Sequence, residues 1–265
     1  MKPEYERIKT LGKGSFGEAA LVRHKASAKL YVAKRISVAP SELGAAKREA
    51  SVLHALSRPR PHSNIVSYVD SWSEPGPPST LVILMEYANG GDLAALIARR
   101  RARRGLGENA RGGEFAEEKV MRLFVQLACA LAHVHGRKVL HRDLKPGNVF
   151  LTTKGVVKLG DFGVAKQLES TLALARTQTG TPFYLSPEIF LDQPYDDKSD
   201  LWSLGVVLFE TAALELPFPA SSIGALARQV TNDDAAPRVR QCLGVFSAEL
   251  RAIAVALLRL SLIHI

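Results

Sequence analysis

Short apolar runs and alternations fill the first 85 residues of the chain. Ala19–Val22 and Tyr31–Ile36 flank a turn, and Leu81–Met85 is a continuous apolar run of buried-strand length. One helix interrupts these strands, starting after Pro40-Ser41 with Ser41 as candidate N-cap and running to about Leu56. Two proline-rich stretches, Arg58–Pro61 and Pro75–Pro78, mark loops. Beyond residue 86 the period lengthens. Val120, Phe124, Leu127, Leu131 and Val134 step by four and three and form one helical stripe. Val149–Leu151 and Val156–Leu159, around Thr153-Lys154-Gly155, predict a hairpin. Leu201–Leu214 is apolar nearly all round, which predicts a helix buried inside its own lobe, and Phe246–Leu260 predicts a last helix. The outline is α+β: a small β-rich lobe with one helix over residues 1–85, then a larger, mainly helical lobe over 86–265. Ligands favour the seam between such lobes.

Composition narrows the classes. The chain has 265 residues, 46% hydrophobic and 23% charged, which is enough to bury a core and excludes collagen-like, wholly disordered and disulfide-scaffold chains. Cys129 and Cys242 lie far apart, each in an apolar run, and are expected to be reduced core residues. The first seven residues are polar, so no secretory signal is expected. The most apolar windows, Leu201–Leu214 and Ala252–Ile265, fall short of the roughly 20 residues of a membrane span. The expectation is a soluble intracellular protein, cytoplasmic in the first instance. Net charge is +9, and six arginines less Glu108 place +5 of it between residues 99 and 111. The Arg99–Arg104 run is expected to be a solvated loop inserted between two helices; a basic loop is weaker than a basic face, so nucleic acid is not the expected partner.

Gly12-Lys13-Gly14-Ser15-Phe16-Gly17 fits G-x-G-x-x-G. A strand-like stretch follows it instead of a helix, which excludes a dinucleotide fold, and the spacing of a Walker A loop is absent. A glycine-rich hairpin lets backbone N–H groups approach phosphates without Cβ interference. Lys34, in the apolar strand Val32-Ala33-Lys34, needs a partner if it faces inward; Glu49 on the next helix and a ligand phosphate are the candidates, with Glu42 as rival. The strongest signal is His141-Arg142-Asp143-Leu144-Lys145-Pro146-Gly147-Asn148, followed thirteen residues after Asn148 by Asp161-Phe162-Gly163. Two carboxylates and an amide around a hairpin, facing a glycine-rich loop, suit Mg²⁺-phosphate chemistry, because hard Mg²⁺ takes oxygen ligands, few of them from protein.

With these motifs in order, and with Ser186-Pro187-Glu188 after them, the sequence resembles the eukaryotic protein kinases from residue 5 to about 260. The resemblance implies a bilobal kinase fold and transfer of phosphate from ATP, with Mg²⁺, to protein substrates. By it, Lys34 would hold the α/β-phosphates and pair with Glu49, Asn148 and Asp161 would carry Mg²⁺, and Asp143 would accept the substrate hydroxyl's proton. Lys145 is the Ser/Thr-kinase pattern and would neutralise the γ-phosphate. Leu11, Gly12, Lys13, Gly14, Ser15, Phe16 and Gly17 would cover the nucleotide. Ala19, Val32 and Phe150 would sandwich the adenine, with Met85 as gatekeeper and Glu86 to Ala88 as hinge. Leu53, Tyr68, Phe162 and His141 would form a hydrophobic spine anchored by Asp200.

Leu172–Glu188, Lys198–Gly205 and the residues Glu18-Ala19 after the glycine loop are similar to the NIMA-related kinases. That subgroup implies a cytoskeletal, ciliary or nuclear site of action. Residues 161–188 would be the activation loop. Thr177 is its first phosphosite candidate and Thr179 its second, set by autophosphorylation or an activating kinase, and the phosphate would meet Arg142. Thr181 would bond the Asp143–Lys145 pair. His133 and His135, two apart on a helix, are expected to be ordinary helix residues. After residue 260 the sequence departs from the resemblance: the last helix of the large lobe is not seen, and Glu188 is expected to lack the arginine that pairs with it elsewhere. The alternative reading is a catalytically weak, nucleotide-binding scaffold of the same fold.

Overall fold

A computed structural model describes residues 2–14, 17–38, 43–76, 79–105, 115–162 and 182–259; the side chains at 38, 43, 45, 46 and 49 also lie outside the description. Strands β1 (Tyr5–Gly14), β2 (Gly17–His24), β3 (Leu30–Val38), β4 (Tyr68–Glu74) and β5 (Ser79–Glu86) form one antiparallel sheet in the order β1-β2-β3-β5-β4. Helix α1 (Leu43–Leu56) is the single helix among them. Alternation along each strand gives the sheet two apolar faces. Val32, Ile36, Leu81, Ile83 and Met85 join the main core, while Ala20, Val22, Ala33, Val82 and Leu84 make a second cluster under Tyr5, Tyr31 and Trp72. Gly17 sits at φ +146°, where an added Cβ would lie 1.8 Å from the Arg35 carbonyl oxygen. Only glycine lets β2 leave the turn this close to β3.

The rest is mainly helical: α2 (Leu93–Gly105), α3 (Glu117–His135), the short hairpin β6 (Val149–Leu151) and β7 (Val157–Leu159), a 3-10 turn at Pro182–Tyr184, α4 (Pro187–Phe190), α5 (Asp197–Ala213), α6 (Ile223–Asn232), α7 (Ala236–Cys242) and α8 (Ala248–Leu257). Helix α5 is buried on every side, as its all-round apolar sequence predicts. A capping box starts it: Asp196 accepts from the Lys198 and Ser199 amides, and Ser199 Oγ accepts from the Asp196 amide. Trp202 stacks on Phe218 at 5.7 Å, and burying each of Trp202, Leu204, Leu208 and Phe209 contributes about 1.5–3 kcal/mol.

Two expectations are corrected by this packing. Cys129 is exposed and Cys242 only half-buried, because the α3 stripe that enters the core is Val120, Leu123, Leu127, Ala130, Leu131 and Val134. A residue two positions from Leu127 and Leu131 points the other way. The Arg99–Arg104 run is not a loop but the second half of α2, because alanine, leucine and arginine are strong helix formers and Leu93 and Ile97 pin the first half in the core. Glu188 accepts a hydrogen bond from Ser199 Oγ at the start of α5.

Candidate active site

The segment between α3 and β6 carries the candidate chemistry, and Asp200 of α5 holds it. Asp200 is fully buried. Its Oδ2 accepts from the His141 amide at 2.8 Å and meets His135 Nε2 at 2.8 Å; its Oδ1 accepts from the Arg142 amide at 3.0 Å and the Tyr195 hydroxyl at 2.5 Å. Burial pushes the Asp200 carboxyl up, but the hydrogen bonds it accepts from His135, Tyr195 and the His141 amide outweigh it and hold it below the usual aspartate range. These bonds fix a strained backbone, since Arg142 has φ +66°. The spine expected from the sequence is packed in part as described: the His141 and Phe162 rings lie 4.9 Å apart, with Leu53, Phe162 and His141 all buried.

His141 itself is fixed in one tautomer by its partners. Nε2 faces the Gly160 carbonyl at 3.1 Å and so donates, while Nδ1 accepts from the Asp143 amide at 3.3 Å. Burial lowers its pKa, which keeps the ring neutral. The next residues converge. Lys145 Nζ lies 2.9 Å from Asp143 Oδ2, and Asn148 Nδ2 donates to that same oxygen at 2.9 Å and to the Asp143 carbonyl at 2.7 Å. The amide nitrogen of Asn148 is thereby assigned, and its Oδ1 is the end left to act as an oxygen ligand.

The sheet brings a second group to this place. Lys34 Nζ donates to Asp161 Oδ1 at 3.0 Å, joining residues 127 apart in sequence. Asp161 also has a left-handed backbone, φ +52°. The register puts Ala19 opposite Lys34 and Val32 opposite Met85, so the candidate roof residues lie two rungs apart on one face of the sheet. Val32 and Phe150 are partly buried against the main core. Residues 86–92 connect the two lobes: Gly90 N and Gly91 O bond to Leu151, and Asp92 bridges Phe150. Glu86 is tied by Lys158 at 2.8 Å and by the Ser67 amide at 3.2 Å. Nothing lies within 4 Å of a Cβ added at Gly12, so its smallness serves no internal contact among the described residues. Ser15, Phe16, Ser41, Glu42, Gly163, Thr177, Thr179, Thr181 and the Glu49 side chain lie outside the described residues.

Some of this arrangement is missing from the sequence reading. His135 is not an ordinary helix residue but a partner of Asp200, and His133 Nε2 reaches the Leu56 carbonyl at 3.3 Å. Tyr195 and Lys158 were not singled out either. The available signal was position: His135 ends α3 six residues before His141, and Tyr195 lies five before Asp200.

A family model of the protein kinase domain matches residues 5–261. The chain belongs to the protein kinase domain family. Its two-lobed fold is that of the family. This kinase domain is 41% identical over 237 residues to serine/threonine-protein kinase Nek1 of Mus musculus, with 88% of this chain and 18% of that protein covered. It is also 41% identical over 238 residues to serine/threonine-protein kinase Nek5 of Homo sapiens (88% of this chain, 31% of that one) and over 218 residues to Nek3 of Mus musculus (82% and 39%). The chain thus spans less than half the length of each of these relatives. No helix among the described residues is long and apolar enough to cross a membrane.

Proposed function

We propose that this kinase domain transfers the γ-phosphate of ATP to serine and threonine hydroxyls of protein substrates. The observation that carries the reading is the Asp143 carboxylate held at 2.9 Å by both Lys145 and Asn148, with Asp161 beside them on Lys34. The names of the relatives, all serine/threonine-protein kinases, support the choice of hydroxyl. In the transfer, the substrate oxygen forms a bond to the γ-phosphorus as the bond to the β–γ bridging oxygen breaks, and Asp143 accepts the hydroxyl proton. A positioned base of this kind contributes about 10²–10⁴-fold. Lys145 offsets charge on the γ-phosphate, Lys34 orients the α/β-phosphates, and the open space at Gly12 admits them under the β1–β2 turn.

The donors present fit Mg²⁺. Asn148 Oδ1 and the Asp161 carboxylate are hard oxygens, and two protein ligands are what a cation shared with phosphates and water needs. When bound, Mg²⁺ neutralises phosphate charge. Met85, Glu86 and Ala88 would meet the adenine edge, between Ala19 and Val32 on one side and Phe150 on the other. Glu49 would brace Lys34. Phosphate on Thr177, with Thr179 second, would order residues 161–188 against Arg142, and Thr181 would bond the Asp143–Lys145 pair. The proposed setting is intracellular, with cytoplasmic, cytoskeletal, ciliary and nuclear sites open to the subgroup.

The test is ATP turnover on a peptide library and on a generic basic protein, beside Asp143→Asn. Phosphoserine and phosphothreonine formed by the unsubstituted chain and lost in the variant are expected; equal rates would overturn the reading and favour the scaffold.

A further inference from the structure

The cleft does not use the arginine run of α2, yet two of its members are engaged. Arg101 and Arg104 are three apart and share a helix face. Both turn to the end of α5. Arg101 Nε donates to the Leu214 carbonyl at 2.7 Å, and Arg104 Nη1 donates to the Ala213 carbonyl at 3.0 Å. Leu214 closes α5 in a left-handed conformation, φ +59°. The last carbonyls of a helix lack intrahelical partners, and cations are favoured there.

Capping alone would stop at those carbonyls, but Arg101 reaches further. Its Nη2 lies 3.3 Å from Oε1 of Glu210, a carboxylate only 10% exposed. The other oxygen, Oε2, accepts from the Tyr184 hydroxyl at 2.6 Å. Burial first, then the Glu210 charge and bond, push the Tyr184 phenol well up, so this hydroxyl stays protonated and donates. The Tyr184 carbonyl is itself held by Ser203 Oγ at 2.8 Å. Tyr184 ends the 3-10 turn that leads into α4. Helix α5 therefore holds that turn through Ser203 and Glu210, and the catalytic segment through Asp200. Ten residues of helix are about 15 Å, so one rigid rod sets the two elements side by side.

We infer that Arg101 is a positioning residue for the protein substrate. Its guanidinium holds the Glu210 carboxylate in place, and Glu210 keeps the Tyr184 turn in register with Asp143 as the floor for the substrate chain. A fork-shaped donor can hold a carbonyl and a carboxylate at once; an ammonium reaches them less well. The activity arm of the test rests on the kinase reading; the exchange arm does not.

The experiment compares Arg101→Met, Arg101→Lys and Arg104→Met with the unsubstituted chain. Loss of a charge-assisted contact that is partly exposed should raise KM for the protein substrate about five- to tenfold in Arg101→Met, with KM for ATP unchanged. Arg101→Lys should recover part of that loss. Arg104→Met removes the other carbonyl cap and should leave both KM values unchanged. Hydrogen exchange across residues 182–190 should quicken about tenfold in Arg101→Met, while residues 140–148 keep their protection. Unchanged exchange across 182–190 overturns the inference. So does an equal rise of both KM values, or an Arg104→Met variant that behaves like Arg101→Met. If no chain transfers phosphate, the kinase reading fails, and exchange alone decides this inference.

Discussion

Replacing Asp200 by asparagine keeps the side chain's shape and removes its charge. Four donors converge on the native carboxylate, two of them backbone amides, of His141 and Arg142. Whichever way the new amide turns, its NH₂ faces one of those two N–H groups. The Tyr195 hydroxyl and the His135 ring can reverse roles and accept; a backbone N–H cannot. One buried amide is left without an acceptor, at a cost of about 1–3 kcal/mol. Against a total stability of about 5–15 kcal/mol that is a large fraction. At about 2–4 °C per kcal/mol for a domain of this size, melting should fall by about 2–12 °C in calorimetry. The strained Arg142 backbone should relax at the same time, so phosphate transfer should fall further than nucleotide affinity does. A variant melting within about 1 °C of the unsubstituted chain, with transfer intact, would refute the view that Asp200 holds the catalytic segment.

Acid should also destabilise the fold. His141 has a lowered pKa in the folded state, so the unfolded chain binds the extra proton; stability is full above about pH 6.5 and falls by about 1.4 kcal/mol per pH unit below it, until the folded pKa is reached, as denaturant titrations between pH 7.5 and 5 would show. His62 shifts the same way through burial and the charges of His133, Arg137 and Lys158, and adds to that slope. Asp200 behaves as a depressed carboxylate: its contribution persists down to its ordinary value of 3.8 and is lost only as pH falls through its lower folded value. Gly205→Ala would set a Cβ 2.7 Å from Leu257 Cβ and push α8 off α5, so chemical denaturation should register a loss of about 1–3 kcal/mol. Burial raises the Glu74 carboxyl, but the Arg35 bond and the Trp72 bond bring it down to about 2; carbon NMR titration of Arg35→Met should find it moved upward.

Where local pattern and tertiary burial agree, the sequence was legible. The strands around Lys34, the hairpin of Val149–Leu159 and the all-round apolar α5 follow from period alone, and the order of glycine loop, lysine, Asp143 segment and Asp161 pointed to the cleft. Arg99–Arg104 was misread because a charge run carries no sign of what it faces. Its helix is dictated by alanine and leucine to its N-terminal side, and its partners are backbone carbonyls more than a hundred residues away. Backbone acceptors leave no trace in composition. The same holds for His135, whose partner Asp200 lies 65 residues on. Cys129 was misplaced because an apolar neighbourhood on a helix does not say which face is inward.

The connection between the two lobes has a mechanical consequence. On one side, Glu86 is clamped by Lys158 and by Ser67; on the other, Asn89 Oδ1 accepts from the Thr153 amide and Gly90 is stitched to Leu151. Tyr87 and Ala88 are the backbone between these anchors. Lys158, Thr153 and Leu151 all belong to the large lobe, so this connection is pinned to that lobe at both ends, and the small lobe turns against a connection that is already held. The proposed adenine contacts fall on that same stretch, so a base seated there would rest on the part that stays with the large lobe.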